Sequence, residues 1–334
     1  MELTGSADVL YEKLHFSNSN IVEKYAAECY LSSYEIYAIC EWGAIISMTD
    51  CLFVSDLHGR IDRFEKLFVD IRQRTPDGVF VGGDILPPVA VREKKKEIQV
   101  DHFITDYLKI RLNDLRNEML ASYPGIFIIL GNDDEAIFEK QLLDLQNDEI
   151  CTYVHNRIIH FGDFSIFGYS FVPPTPFRLK DWERYDVSRY TDPGSISPEE
   201  GIYSVEKTGH EKKFSTIKED LEKLTGDHDL SKSIFLFHSP PYKTMLDMAD
   251  LEGRNIDHVP LDPHIGSIAI KRFIEERQPL ITLHGHAHES AQQTGQWSDK
   301  IGKTFCFSAA HNGRELAVIN FNPKEPEKAT RELI

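Results

Sequence analysis

The stretch LITLHGHAHES, residues 280–290, sets His284, His286 and His288 at alternate positions directly after a short apolar run. Imidazoles spaced in this way can ligate a metal or simply hydrogen-bond within a polar loop. Four other apolar runs end in groups of similar chemistry. CLFVSDLHG ends in Asp56 and His58, GVFVGGD in Asp84, GIFIILGND in Asn132, and IFLFHSPP in His238. Each run reads as a buried strand, and in an open α/β sheet the loops at the carboxyl ends of the strands gather around one crevice. Histidines, carboxylates and an amide meeting there are N/O donors suited to divalent Mn, Fe, Zn or Ni, and a carboxylate oxygen can bridge two ions. Taken singly, a strand-end Asp is an ordinary turn or helix-cap residue. Taken together, the five strand ends carry the inventory of a two-metal centre.

In chain order these groups are Asp56-Leu57-His58, Gly83-Asp84, Gly131-Asn132-Asp133-Asp134, His238 and Gly285-His286-Ala287-His288. The series resembles the calcineurin-like metallophosphoesterases, whose signature is DxH, GD, GNH followed by an acid, a lone His, and GHxH. The resemblance spans residues 50 to 320 and implies an α/β fold, a four-layer αββα sandwich of two mixed sheets flanked by helices. It also implies that Asp56, His58 and His288 hold a first divalent metal, that Asp84 bridges, and that Asn132, His238 and His286 hold a second. Phosphoester hydrolysis by a hydroxide between the two ions would follow. His284 matches no ligand of the family and is expected to be a hydrogen-bonded neighbour. HIGS (264–267) and the PPTPF segment resemble features of a prokaryotic, phosphodiesterase-like branch.

One position departs from the pattern, because Asp133 stands where the family has a histidine that assists the leaving group or contacts phosphate. This disfavours phosphomonoesterase and protein-phosphatase activity and affects diester hydrolysis less, since a diester carries less charge. Asp133 reads either as a first-turn acid of the helix over DDEAIFEKQLL or as a group acting in the chemistry. Beside two divalent cations its carboxyl is expected to be ionised. His264 and His311, near the last motifs, are the candidates for supplying a proton or touching the substrate. Arg60, in the HGR turn, can contact a phosphate or lie on the surface at a helix start, and Asn132 can face substrate as well as metal. Trp182 lies with Phe171, Phe177, Tyr185 and Tyr190 in residues 171–206, a segment read as an ordered cap or loop. Its rings either face a ligand or pin the loop to the domain. His155 and the other histidines outside the motifs read as surface or core residues. The preferred reading is a metal-dependent phosphodiesterase acting on a small or nucleotide-like ester. The alternatives are a phosphomonoesterase or nucleotidase, and a binding scaffold that kept the fold and lost turnover.

The elements that must position these groups follow from periodicity. Phe64, Leu67, Phe68 and Ile71 fall at helical spacing between two apolar runs, which makes a βαβ unit, and Ile104, Leu108, Leu115 and Met119 mark a long helix within 98–120. Residues 157–170 read as a hairpin turning at Gly162-Asp163, and KTFCFSAA and ELAVINFN as closing strands. The expected domain covers 48–325, with residues 1–47 an extension of unknown role and 326–334 a tail. At 334 residues, 41% hydrophobic and 27% charged, the chain can bury a sizeable core. Its 54 acidic and 37 basic residues give a net charge of -17, which argues against a general nucleic-acid or anionic-membrane binder. Lys94 to Lys96 read as a solvated helix face. Five cysteines without CxxC spacing indicate a reducing compartment, and MELTGSADVLYEK lacks the basic and apolar regions of a signal peptide. A cytoplasmic protein with a small phosphoester as its partner is expected.

Overall fold

Strand β1 (Cys51–Val54) is buried on both faces, so its alternation sorts side chains between two cores. Cys51 and Phe53 point to one core, Leu52 and Val54 to the other. The computed structural model describes residues 49–88 and 102–334 apart from 252, 254 and 257. The expected extension over 1–47 and the Lys94–Lys96 run lie outside the described residues.

In the first sheet β1, β2 (Gly78–Gly82), β3 (Gly125–Ile129) and β4 (Thr152–Tyr153) are parallel neighbours in that order. β13 (Ala317–Phe321) joins β1 antiparallel at the other side. The second sheet has the order β11 (Ser298–Ile301), β12 (Thr304–Ser308), β10 (Ile281–His284), β7 (Ser233–Phe237), β6 (Phe164–Tyr169), β5 (Ile158–Phe161). β12, β10, β7 and β6 run parallel, and the outer pairs are antiparallel. β5 and β6 form the expected hairpin, with Phe161 opposite Phe164 and Gly162 at φ 55°. A short ladder of β8 (Asn255–Ile256) and β9 (Val259–Pro260) stands apart from both sheets.

Phe53, Phe80, Phe127, Ile166, Leu236, Leu283 and Phe307 fill the space between the sheets. Full burial of each such side chain stabilises the fold by about 1.5–3 kcal/mol. On the outer face of the first sheet, α1 (Ile61–Arg74), α2 (Lys109–Met119) and α3 (Glu139–Asn147) contribute Phe68, Leu112 and Leu145 against Val79, Val81 and Ile128. A π-helical turn, Phe103–Leu108, precedes α2. Over the second sheet, Phe235 and Phe237 meet Leu221 of α5 (Ile217–Thr225) and Phe273 of α6 (Ile268–Arg277). Two short helices complete the set among the described residues, α4 (Gly209–Phe214) and α7 (Ser290–Thr294). The result is the four-layer α/β sandwich of two mixed six-stranded sheets between helices. No helix among the described residues is long and apolar enough to cross a membrane.

The C-terminal tail expected at 326–334 is instead part of the sheet. β14 (Thr330–Leu333) pairs antiparallel with β13, and Leu316 and Ile334 exchange two backbone hydrogen bonds of 2.9 Å. Without it the outer edge of β13 would present unpaired amides and carbonyls.

Residues 171–206 form neither helix nor strand. Buried polar groups hold them in place. Asp181 accepts the N–H groups of Ala136 at 2.8 Å and Ser204 at 3.0 Å, Glu183 pairs with the buried Lys180, and Asp186 caps α6 through the N–H groups of Ile268 and Ala269. Trp182, a candidate either to face a ligand or to pin the loop, is 2% exposed and packs on His155 and Phe171. Its indole fills the core because the segment around it folds inward, so this ring pins the loop.

His155 lies inside that aromatic cluster, and its Nδ1 accepts the N–H of Ser170 at 3.0 Å. Burial, with the positive charge of Arg184, pushes its pKa down to about 3. Its unfolded value is about 6.5, so the neutral ring contributes stability that is present above that pH and is lost as pH falls toward 3. His155→Gln should therefore lose less thermal stability between pH 6.5 and pH 4 than the native protein does, as followed by melting temperature. Parallel curves would assign the acid sensitivity to other groups.

Candidate metal centre

The loops after β1 and β2 run side by side beyond the strands. Asp56 N–H donates to Gly83 O at 3.1 Å, His58 N–H to Asp84 O at 2.7 Å, and Gly59 N–H to Ile85 O at 2.9 Å. This backbone ladder fixes Asp56, His58 and Asp84 against one another. All three adopt positive φ, at 58°, 48° and 50°, as does His286 at 69°. Non-glycine residues held there carry local strain of about 1–3 kcal/mol each, a cost the surrounding packing must offset. Glycines bring the third and fifth motifs in. A Cβ at Gly131 would lie 2.3 Å from Asp84 Oδ1, and one at Gly285 would lie 2.1 Å from Ser55 Oγ.

The two sheets meet at His238. Its Nδ1 donates to Gly82 O of the first sheet at 2.7 Å, which turns Nε2 toward Asn132 Oδ1 at 3.0 Å and Asp84 Oδ2 at 3.3 Å. A ligand histidine is commonly oriented through its other ring nitrogen in this way. The ring of His286 sits 5.3 Å from that of His238, centroid to centroid. On the other side His58 Nε2 faces His288 Nε2 at 3.2 Å, and His288 Nε2 stands 3.1 Å from Asp56 Oδ1. Asp84 Oδ2 is 3.9 Å from His58 Nε2, so this carboxylate reaches both groups of ligands. All seven residues expected to hold metal are therefore together.

The donor set fits a divalent pair. One atom each from Asp56, His58, Asp84 and His288 lies within 4.8 Å of the others. Asp56 Oδ2 and His58 Nδ1 are buried and have no hydrogen-bond partner in the protein. Electrostatics agrees. Burial alone would raise Asp56, but His288, His238 and His58 hold it far below the carboxylate range. Asp84 is lowered to about 2 against the same burial, chiefly by His238. In return, and against burial, Asp84 lifts His238 to about 10 and Asp56 lifts His288 to about 9. The carboxylates thus demand positive charge, which protons on the imidazoles or bound cations can supply.

Asp133 is inside this cluster rather than at a helix cap. Its N–H donates to Asp84 Oδ1 at 2.9 Å, its Oδ2 is 3.8 Å from His58 Nδ1, and Asn132 Nδ2 donates to its Oδ1 at 3.2 Å. Burial and the charge of Asp84 push its carboxyl up to about 7, so its ionisation depends on cations being present. The last motif's remaining histidine is structural. His284 is fully buried, with Nδ1 2.9 Å from Ser239 O and Nε2 2.8 Å from Thr282 Oγ1.

Two expected substrate contacts are engaged elsewhere. Arg60 binds Asp62 at 2.7 Å and the carbonyls of Gly313 and Arg314 at 3.4 and 3.0 Å, so its guanidinium braces the loop before β13 instead of reaching for a phosphate. His311 Nε2 lies 3.2 Å from Glu315 Oε2 on that same loop. His264 pairs with Asp247 at 2.9 Å. Sequence reasoning missed three supports. Asp134, 0% exposed, accepts the N–H groups of Ile85, Leu86 and Gly131 at 3.1, 2.8 and 2.9 Å and so ties the second motif to the third. Buried Arg63 donates to Asp56 O at 2.6 Å and Gly313 O at 2.7 Å. Asp247 holds the loop after His238. Asp134 had a signal, the second acid of GNDD, whereas nothing local marked Arg63 or Asp247.

A two-sheet αββα sandwich whose strand ends present Asp, His and Asn ligands to two divalent cations defines the dinuclear metallophosphoesterases. The chain belongs to the calcineurin-like phosphoesterase family, which matches residues 50–290. It is 41% identical over 76 residues to the uncharacterized protein MJ1162 of Methanocaldococcus jannaschii, a match over 22% of this chain and 29% of that protein's length. A solved crystal structure aligned over 86% of this chain and 99% of its own has a TM-score of 0.53 at 16% identity, which shows the shared fold. TT1561 of Thermus thermophilus aligns over 86% and 99% at 15% identity with a TM-score of 0.47.

His288→Ala and Asp84→Asn should each lose bound metal, measured as metal content after gel filtration, while His284→Ala keeps it and is destabilised by about 1–3 kcal/mol. Full metal occupancy in His288→Ala would sink the ligand assignment. Asp134→Ala leaves three buried amides unpaired and should cost at least about 2 kcal/mol in urea unfolding. An unchanged midpoint would show that the two loops hold together without it.

Proposed function

We propose that this protein is a metal-dependent phosphodiesterase acting on a small or nucleotide-like phosphoester. The observation that carries the reading is the Asp133 carboxyl in the ligand cluster, 3.8 Å from His58, where the family has a histidine. Asp56, His58, Asp84, Asn132, His238, His286 and His288 would hold two divalent cations. When bound, these polarise a phosphoryl oxygen and acidify a water molecule. The residues of the chain do the rest. The cross-sheet bond from His238 Nδ1 to Gly82 O keeps Nε2 available on the cluster side. Asp134 holds the Asp84 and Asn132 loops at fixed separation.

Asp133 sets the charge preference. Ionised beside the cations, it adds a negative charge at the place where phosphate must dock, and this opposes a monoester dianion more than a diester monoanion. It has no proton to give a departing alkoxide in that state. Residues 171–206 are pinned to the loop after Asp133 through Asp181 and Ala136, and this anchorage supports assigning substrate specificity to that segment.

The test compares diesters and monoesters sharing one leaving group, in the native protein and in Asp133→His at matched metal content. The native protein should favour the diester by about tenfold or more in kcat/KM, a difference of about 1.4 kcal/mol in barrier, and Asp133→His should narrow the ratio. A native preference for the monoester would overturn the diesterase reading in favour of a phosphomonoesterase or nucleotidase.

A further inference from the structure

With Asp133 in place of the family's histidine, the leaving oxygen of a diester needs another proton donor, and the protein contains a built Asp–His pair outside the metal ligands. His264 Nδ1 lies 2.9 Å from Asp247 Oδ1. Asp247 is 0% exposed and accepts the N–H groups of Lys243, Thr244 and Gly266 at 2.8, 2.9 and 3.3 Å. A carboxylate so fixed by backbone donors holds the imidazole in one orientation. Nε2, across the ring from Asp247, is then the nitrogen able to give up a proton. Unlike Asp247, the His264 side chain is 24% exposed, so solvent can resupply it.

The pair belongs to the rim that presents the ligands. The loop carrying Asp247 begins directly after His238, and it is bound to the HIGS segment by Tyr242 N–H to Ser267 O at 3.0 Å and Ser267 N–H to Pro240 O at 2.8 Å. On its other side Ser290, two residues beyond His288, accepts the N–H of Met248 at 3.1 Å and donates to Met245 O at 2.9 Å. Met248 itself bridges antiparallel to His264. The pair is therefore suspended between the end of β7, which carries His238, and the turn after β10, which carries His286 and His288. His311, the other candidate, is held by Glu315 on the exposed loop before β13.

We propose that His264, oriented by Asp247, is the general acid that protonates the leaving oxygen of a phosphodiester. The inference rests on the phosphodiesterase reading above. In the step, an oxygen from water forms the new P–O bond, and the P–O bond to the leaving group breaks with its electron pair on the leaving oxygen. The proton on His264 Nε2 passes to that oxygen. The water's proton goes to solvent, from which His264 is later reprotonated.

The experiment uses the full chain loaded with manganese, and diesters that differ only in the leaving group, one 4-nitrophenyl and one alkyl. His264→Gln, matched to the native protein in metal content and melting temperature, should lose about 100-fold more rate on the alkyl diester than on the nitrophenyl diester, since only the basic leaving group needs the proton. Equal losses on both would overturn the acid role and leave the diesterase reading standing. No turnover of any phosphoester by the loaded native protein would overturn both. A second measurement needs no variant. Nitrogen NMR of the native protein should find neutral His264 as the Nδ1–H tautomer, and an Nε2–H tautomer would overturn the orientation by Asp247.

Discussion

Four carboxyl groups crowded at the ends of two sheets impose the main constraint on this molecule. Asp56, Asp84 and Asp134 are buried to 2% exposure or less, and Asp133 shares their pocket. Asp56 and Asp84 are held ionised there, which requires positive charge close by, while burial and the charge of Asp84 push Asp133 up to about 7 and Asp134 up to about 8. The protein answers with His238 and His288, whose proton affinities rise against burial, while burial keeps those of His58 and His286 low. Divalent cations meet the same demand more completely. A cluster of donors able to hold divalent cations thus follows from having these residues in these places.

Two devices hold the arrangement against mutual repulsion. One is backbone hydrogen bonding beyond the strands, where the ladder between the loops after β1 and β2 fixes three ligands without using their side chains. The other is the set of carboxylates that bind only amides and hydroxyls. Asp134 joins the second and third motifs, Asp181 joins the 171–206 segment to Ala136, and Asp186 caps α6. Buried acids of this kind accept several hydrogen bonds each, which offsets part of their desolvation and ties together the loops they join. Residues 171–206 illustrate this. They have almost no regular structure and yet are anchored at Asp181, Trp182, Glu183 and Asp186.

The same logic separates histidines that look alike in sequence. In HGHAH the three rings alternate. Backbone conformation and neighbours give them different tasks. His284 is the last residue of β10 and spends both nitrogens on Ser239 and Thr282. His286 and His288 lie past the strand end, where the chain leaves the sheet, so their rings turn toward the carboxylates.

Strand alternation, five ordered motifs and the missing histidine at Asp133 were legible in the sequence, because buried strands and ligand spacing are local properties. Through the family resemblance they carry, they were enough for the sandwich, the convergence of seven candidate ligands and the family. What lay beyond local reach was every assignment that depends on a partner distant in the chain. Trp182 faces inward because His155 and Phe171 receive it, and Arg60 is occupied because Gly313 and Arg314 lie beside it. The last residues form β14 because β13 has an edge to cover. Arg63, Asp247 and the pairing of His264 carry no sequence signal, since Asp247 meets His264 across 17 residues and Arg63 meets Gly313 across 250. The sequence by itself determined which chemistry the strand ends offer. The tertiary structure alone decided which side chains face it, because hydrogen-bond saturation and burial are settled only when the two sheets have closed on each other.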